Sequence, residues 1–274
     1  MMKFAVKSLL VASLALASAH ALSHNHESAL TSAVQSSERD AKNSARDTYR
    51  HPIETLEFFG FKPIMTVVEI APGGGWYSEI LAPAVKGHGV YYAAHFPADS
   101  EVGYYQRSLA GFKKKMSDDA RFSEVKLTEF APITHLDIAP AGSADLVLTF
   151  RNVHNWYMGK EKEGTLSAFK AFYKALKPGG TLGVVEHRLP ESRSDDDQKS
   201  SGYMKQSYVI DIAKQAGFEL VATSDINANP LDTADHPKGV WTLPPRLALD
   251  EQDAAKYKAI GESDRMTLKF KKPL

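Results

Sequence analysis

An apolar stretch that runs straight into a glycine turn is the feature that most restricts how this chain folds. Residues 65–70 are apolar and rich in β-branched side chains, with Glu69 near the end of the run. Residues 73–75 are all glycine, and from Trp76 the apolar spacing becomes helical. A buried strand followed by a glycine turn and a helix start brings backbone N–H groups to one crevice. The segment therefore predicts a cradle for a nucleotide-type cofactor, or else an ordinary tight strand-to-helix connection.

From residue 63 the chain alternates strand-like and helix-like segments, which is the pattern of an α/β fold with a parallel sheet and helices on both faces. With 274 residues and 43% hydrophobic content, the chain can bury a full core. We predict one domain over residues 49–274. The predicted strands cover 65–70, 89–94, 123–127, 145–150, 181–186, 218–224 and 265–271, and the predicted helices cover 76–85, 102–116, 163–176 and 203–215.

The first 21 residues have the order of a secretory signal peptide. Lys3 and Lys7 precede an apolar, small-residue run over 8–19, and residues 19–21, Ala-His-Ala, offer a cleavage site. The run is too short to span a bilayer. We therefore predict cleavage after Ala21 and a periplasmic or secreted protein without stable membrane insertion. The alternative is an N-terminal helix packed on the core.

Residues 22–48 are polar and rich in Ser, Ala, Arg and Asp, which predicts a flexible lead with a solvated helix outside the domain. Signal cleavage would remove two of the 33 basic residues and none of the 33 acidic ones, so the balance stays near neutral and favours no nucleic-acid partner. The chain has no cysteine, which excludes thiol nucleophiles and thiolate metal sites. A homodimer is compatible with the sequence, although nothing in it specifies an interface.

Three motifs, in their order along the chain, resemble those of class I S-adenosylmethionine-dependent methyltransferases. The first is Glu69 with the glycine turn, where Ala71 replaces the family's first glycine, a change that a turn with negative φ tolerates. The second is the Leu-Lys-Pro-Gly-Gly sequence at 176–180, and the third is Ala-Gly-Phe-Glu-Leu at 216–220. The resemblance covers residues 55–271. It implies a seven-stranded Rossmann-like sheet, mostly parallel with an antiparallel last strand.

The resemblance also implies that the glycine turn binds S-adenosylmethionine, with S-adenosylhomocysteine as product. The family usually places an acidic residue at the end of the second strand, where it binds the ribose hydroxyls. Here His95 holds that place, with Asp99 and Glu101 close behind it, and a buried structural histidine is the alternative. The residues assigned to the cofactor are Glu69, Ala71, Gly73, Gly74, Gly75, Tyr77, His95, Phe150 and Arg151.

Substrate chemistry is expected where the parallel strands end. The fourth strand runs into a polar and aromatic cluster over 151–156, and the fifth ends at Glu186 and His187. Methyl transfer from a sulfonium needs alignment and a deprotonated acceptor. We therefore assign His154 as candidate base or orienting group, with Asn152 and Glu186 as its catalytic partners. The alternative is that Asn152 and His154 only cap the next helix.

Residues 225–262 form a long insertion that we expect to cover the substrate as a lid, the alternative being a solvated surface excursion. No metal is assigned. The carboxylates at 195–197 are expected to face solvent, and His24 would offer a copper site only if cleavage falls after Ala21.

Taken together, these features predict an exported S-adenosylmethionine-dependent methyltransferase that acts on a small-molecule acceptor. Because the cofactor is made in the cytoplasm, its supply outside that compartment is a difficulty. A catalytically inactive ligand-binding protein of the same fold is therefore the alternative, and the altered end of the second strand favours it.

Overall fold

A computed structural model describes residues 29–274 of the chain. The predicted signal peptide and His24 therefore lie outside the described residues. Among the helices of the described range, none combines the length and apolar character that a membrane crossing needs.

Eight of the strands in the described range build one mixed sheet, and β8 (Pro237–Val240) is a short segment that does not appear in the strand order of this sheet. The strands are β1 (Thr66–Ile70), β2 (Val90–His95), β3 (Lys126–Glu129), β4 (Ala144–Phe150), β5 (Leu176–Leu189), β6 (Met204–Lys205), β7 (Glu219–Ser224), β8 (Pro237–Val240) and β9 (Arg265–Lys271).

The sheet has the order β3-β2-β1-β4-β5-β9-β7, and β6 pairs with the end of β5. The five neighbouring strands β3, β2, β1, β4 and β5 are parallel to one another. Strand β9 lies between β5 and β7 and is antiparallel to both. This confirms the predicted sheet, which is mostly parallel with an antiparallel last strand. The reversal of order next to β1 leaves a crevice at the carboxyl ends of β1 and β4.

Helices cover both faces of the sheet. They are α1 (residues 29–35), α2 (Ala41–Ser44), α3 (Asp47–Arg50), α4 (Pro52–Phe59), α5 (Ser78–Val85), α6 (Gly103–Asp118), α7 (Val153–Ala175), α8 (Gln206–Gln215) and α9 (Ala254–Ile260), with short 3₁₀ turns at Ala120–Phe122 and Asp195–Lys199.

Successive residues of β1 belong to two separate hydrophobic cores. Val67 lies in the core that α4, α5 and α6 cover, where it is buried with Phe59. Val68 lies in the opposite core, which α7 and α8 cover and which includes Phe169. Successive side chains of a strand point to opposite faces of the sheet, and here both faces are buried. This explains why the apolar residues of the stretch do not alternate with polar ones.

The start of α7 and the start of β5 differ most from the predicted boundaries. The helix predicted over 163–176 begins at Val153, and its backbone leaves the helical region at Lys160 and Glu161. A polar, glycine-flanked break hides the first half of this helix from a search for apolar spacing. At 176–180, where the sequence predicts a turn, the chain already belongs to β5, and its pairing with β4 shifts register between Leu176 and Thr181.

The prediction of a flexible lead over 22–48 is wrong for its described part. Leu30, Ala33 and Val34 are buried in the core beside α5. The indole Nε1 of Trp76 donates a hydrogen bond to the carbonyl of Asn43 at 2.9 Å. The three apolar residues recur at helical spacing, and this narrow stripe was hidden by the polar composition around it.

Gly183 in β5 tests the packing of α4 against the sheet. A Cβ at this position would lie 2.7 Å from the ring of Phe59 and 2.8 Å from Leu148. Because such overpacking forces neighbours to move, we expect Gly183→Ala to lower the free energy of unfolding by about 1–3 kcal/mol. Chemical denaturation measures this change.

Gly111→Ala in α6 is the matched control, because nothing lies within 4 Å of its added Cβ. That variant should gain up to about 1 kcal/mol from helix propensity. A Gly183→Ala protein as stable as the wild type would contradict the described packing.

Candidate functional site

A cavity of about 1040 Å³ opens at the carboxyl ends of β1 and β4. Its floor is formed by residues 71–74 of the glycine turn, whereas Gly75 does not line it, and its walls come from the segments that follow β2, β3 and β4. Asn43 and Arg46 of the N-terminal segment and Trp241 and Arg246 of the 225–262 insertion complete it. A concave site of this size holds a ligand as large as a nucleoside together with a second small molecule.

The backbone of the glycine turn adopts positive φ angles, which residues with a Cβ disfavour. Gly73 and Gly75 have φ values of 59° and 80°. Ala71, which begins the turn, has a φ of 46°, so the expectation of a negative φ is wrong. Its N–H donates to the carbonyl of Ala94 at 2.8 Å, which anchors the turn to β2 at this conformation. A residue with a Cβ in the left-handed region costs about 1–2 kcal/mol.

Glu69 is buried at the base of the turn and lines the cavity. Its Oε2 accepts hydrogen bonds from the hydroxyl of Ser78 at 2.7 Å and from that of Tyr91. Burial raises the pKa of Glu69 to about 7, although both hydroxyl donors and the charge of Arg151 oppose the rise. The carboxyl group is therefore poised between its neutral and ionised forms near neutral pH.

His95 lies behind the glycine turn and is absent from the cavity wall, which corrects its predicted contact with the cofactor. Its Nε2 lies 3.1 Å from the carbonyl oxygen of Gly73, and its Nδ1 accepts the N–H of Phe96 at 2.8 Å. Burial lowers the pKa of the imidazole, so the ring stays neutral and donates through Nε2. The alternative of a buried structural histidine is the one observed. Asp99, further along the same segment, does line the cavity.

Two aromatic rings form one wall of the cavity. Tyr77 and Phe150 stack with ring centroids 3.5 Å apart and planes inclined by 9°. Arg151 follows with a φ of 60°, and its backbone N–H donates to the carbonyl of Val185 at 2.7 Å. This bond turns the chain at the end of β4 toward the cavity. The predicted residues Tyr77, Phe150 and Arg151 therefore share one site with the glycine turn.

His154 and Glu186 form a buried pair at the adjacent ends of β4 and β5. Nδ1 of His154 lies 2.9 Å from Oε1 of Glu186, and the same carboxylate accepts the backbone N–H groups of Val153, His154 and His187. Glu186 thus caps α7 and fixes the orientation of the imidazole. Since Nδ1–H is used by the carboxylate, Nε2 is the ring atom left for a ligand in the cavity, which His154 lines.

Asn152 has a different part in the site. Its Nδ2 donates to the carbonyl of Ile70 at 2.9 Å, and it contributes no side-chain cap to α7. The bond joins the end of β4 to the end of β1. Asn152 therefore holds the cavity floor in place, and the alternative in which it caps the helix does not hold.

His154, Glu186 and His187 present potential ligand atoms that all lie within 4.8 Å of one another. A carboxylate needs free lone pairs to bind a metal, but both oxygens of Glu186 already accept hydrogen bonds from N–H groups. His187 Nδ1 in turn lies 2.6 Å from the hydroxyl of Ser263. These contacts favour an orienting role for Glu186 over metal ligation.

Of the arginines that line the cavity, only Arg151 was assigned to the site from the sequence, and Arg46, Arg50 and Arg246 were missed. Arg46 belongs to the segment predicted as a flexible lead over 22–48, Arg50 lies just inside the predicted domain, and both line the cavity. Their Nε atoms donate to opposite oxygens of Glu262 at 2.6 and 3.0 Å. In the sequence, two arginines four residues apart in a polar stretch look like a solvated helix face.

The pKa of Glu69 allows a pH-dependent test. Its folded value of about 7 lies above the ordinary 4.5, so the folded protein keeps this proton at pH values where the unfolded chain has lost it. The contribution to stability is complete below the ordinary value and is lost as the pH rises through about 7. Glu69→Gln cannot ionise, and we expect it to lose less stability than the wild type between about pH 5 and about pH 8 in denaturant unfolding.

Glu57→Gln, on the exposed side of α4, serves as the control and should keep the pH dependence of the wild type. If Glu69→Gln and the wild type lost stability in parallel, the raised pKa would be refuted.

Comparison with known proteins bears on the fold. No family model matches the sequence, and no curated protein sequence matches it either. Among solved structures, the chain is similar to a SAM-dependent methyltransferase from Aquifex aeolicus, with a TM-score of 0.53 and 14% identity over 83% of this chain and 93% of that one. It is similar to the [4+2]-cyclase SpnF, with a TM-score of 0.56 and 15% identity over 86% and 85% of the two chains.

A third structure, the mitomycin 7-O-methyltransferase MmcR, gives a TM-score of 0.52 and 12% identity over 84% of this chain and 54% of that one. At these identities the likeness concerns the fold and leaves the reaction open. With the observed strand order, it establishes that this chain has the class I methyltransferase fold.

Proposed function

We propose that the protein is an exported S-adenosylmethionine-dependent methyltransferase that acts on a small-molecule acceptor. The observation that carries this proposal is that His154, which Glu186 holds from behind, lines the same cavity as the glycine turn. A cofactor cradle and an oriented base at one site are the two parts that methyl transfer requires.

The cradle has room for the cofactor. A Cβ added at Gly73 or at Gly74 would meet nothing within 4 Å, so the turn faces open space. Tyr77 and Phe150 both line the cavity and supply aromatic surface against which an adenine ring can pack. Asp99 lines the cavity, and we assign to it the ribose-binding role of the carboxylate that the end of β2 lacks.

The bound cofactor would supply an electrophilic methyl group on its sulfonium. His154 prepares the acceptor: Nε2 takes the acceptor's proton, while Nδ1–H remains hydrogen-bonded to Glu186. The buried carboxylate stabilises the imidazolium that results, as in other carboxylate–histidine pairs. Trp241 lies with its ring centroid 6.1 Å from that of His154 and helps to keep water from this end of the cavity.

Export is the second part of the proposal, and it rests on the order of charge, apolar run and cleavage motif at the N-terminus. The insertion over 225–262 supplies Trp241 and Arg246 to the cavity, in keeping with a lid. The volume of the cavity, about 1040 Å³, favours a small molecule over nucleic acid as the acceptor.

Calorimetric titration with S-adenosylmethionine and S-adenosylhomocysteine tests the cofactor assignment. We expect both to bind the wild type. Gly74 has no positive φ and its added Cβ meets open space, so Gly74→Leu should keep the fold while its side chain occupies the cradle, and binding heat should be lost. Gly159→Leu, at another position with nothing within 4 Å, is the control and should bind as the wild type does.

Absence of heat with either ligand at high concentration would remove the methyltransferase assignment. Equal binding by Gly74→Leu would show that the ligand lies elsewhere on the protein.

His154→Ala tests the proposed base. We expect S-adenosylhomocysteine formation, measured over a panel of small-molecule acceptors, to fall by about 100- to 10,000-fold, because general-base catalysis contributes on that order. Affinity for S-adenosylhomocysteine should stay nearly unchanged. His88→Ala, at an exposed position outside the cavity, is the control. Undiminished turnover by His154→Ala would end its assignment as the base.

A further inference from the structure

We propose that the acceptor carries an anionic group, a carboxylate or a phosphate, which binds to the guanidinium groups of Arg46, Arg50 and Arg151. The assignment of this anion to a methyl acceptor rests on the proposed function. The anion site itself is argued from the arginines and stands independently of the reaction.

The three arginines reach one cavity wall from two distant parts of the chain. Arg46 precedes α3 and Arg50 is its last residue, whereas Arg151 follows β4 and precedes His154 by three residues. All three line the cavity. An anion held by them would therefore place the rest of the molecule in the space that His154 also faces.

At this wall the positive charges of the arginines outnumber the negative charge of Glu262, the carboxylate with which they pair. Glu262 accepts hydrogen bonds from Nε of Arg46 at 2.6 Å, from Nε of Arg50 at 3.0 Å and from Nη1 of Arg265 at 3.0 Å. With Arg151 nearby, four guanidinium groups surround one carboxylate, a surplus of three positive charges. Buried charge without a counter-ion is costly, so the arrangement calls for an anion.

The donors needed for such an anion are available. Arg46 and Arg50 use Nε for Glu262, and within residues 29–274 their Nη atoms donate no hydrogen bond. The guanidinium of Arg151 likewise has no hydrogen-bond partner in that range. Guanidinium groups bind carboxylate and phosphate oxygens through paired N–H donors, which matches this free set.

Burial and mutual repulsion reinforce the argument. Burial and, next to it, the charge of Arg265 together lower the pKa of Arg151 to about 10. The pKa of Arg50 lies well below its ordinary value because of burial and the charge of Arg151. Arg151 remains ionised at neutral pH, and a bound anion would relieve the repulsion among these groups.

The amino-acid part of S-adenosylmethionine also carries a carboxylate, and the sequence resemblance assigns Arg151 to the cofactor. Our proposal assigns the arginines to the acceptor instead. The two sources share the same chemistry, so the experiment has to separate them.

Inorganic phosphate is the probe, titrated by calorimetry at constant ionic strength set with chloride. We expect wild type to bind phosphate, and Arg46→Gln and Arg151→Gln each to bind about 10- to 100-fold more weakly, the range for loss of a charge-assisted hydrogen bond. Arg107→Gln, on the exposed side of α6, is the matched control and should bind as wild type does. Circular dichroism establishes that each variant is folded. Undetectable binding by wild type, or equal binding by all variants, would overturn the proposal.

The same titration at saturating S-adenosylhomocysteine identifies the source of the anion. Continued phosphate binding, with S-adenosylhomocysteine affinity unchanged in Arg151→Gln, supports an anionic acceptor. Competition by S-adenosylhomocysteine but not by 5′-methylthioadenosine, which lacks the amino-acid carboxylate, would assign the arginines to the cofactor and overturn the acceptor proposal. If the protein binds phosphate but neither S-adenosylmethionine nor S-adenosylhomocysteine, the result supports the anion site and refutes the methyltransferase function.

Discussion

The buried carboxylate of Glu262 makes the ion pairs that join the N-terminal segment to the rest of the site. It holds Arg46 and Arg50 of the N-terminal segment and Arg265 at the start of β9, more than two hundred residues away along the chain. Desolvation raises the pKa of Glu262, but the surrounding arginines outweigh that effect and lower it to about 2. The carboxylate is therefore ionised at neutral pH. Removing one partner of such a buried ion pair costs on the order of 3–5 kcal/mol, because the other charge stays buried.

Most of the sheet and its helices could be predicted from the sequence because their signals are local. Apolar runs mark β1 and β4, and helical spacing marks the second half of α7. The strand order needed the resemblance to a known fold, since nothing local says which strands pair. Ala71 shows the limit of local reasoning. An alanine carries no preference for positive φ, and the hydrogen bond from its N–H to Ala94 is a contact between strands that the sequence does not reveal.

The site divides in the same way. His154 and Glu186 could be paired from the sequence, because each follows the end of a strand and parallel neighbours end at the same edge of the sheet. His95 could not be placed, since the sequence says that it ends β2 but not that its ring turns inward to Gly73. Arg46 and Arg50 were missed because their partner, Glu262, is a tertiary contact without a sequence signal.

The charge of the cavity links its two proposed ligands. A sulfonium cofactor adds a positive charge to a space where the arginines of the wall already outnumber the carboxylates Glu69 and Asp99. Glu69 offsets this charge only in part, since its raised pKa of about 7 leaves it partly neutral at physiological pH. An anionic acceptor supplies the missing counter-charge, so under the two proposals each ligand increases the affinity of the other. Binding linkage is reciprocal, so the cofactor would raise the affinity for the acceptor by the same factor as the acceptor raises the affinity for the cofactor. The coupling therefore favours the complex with both ligands, from which methyl transfer proceeds.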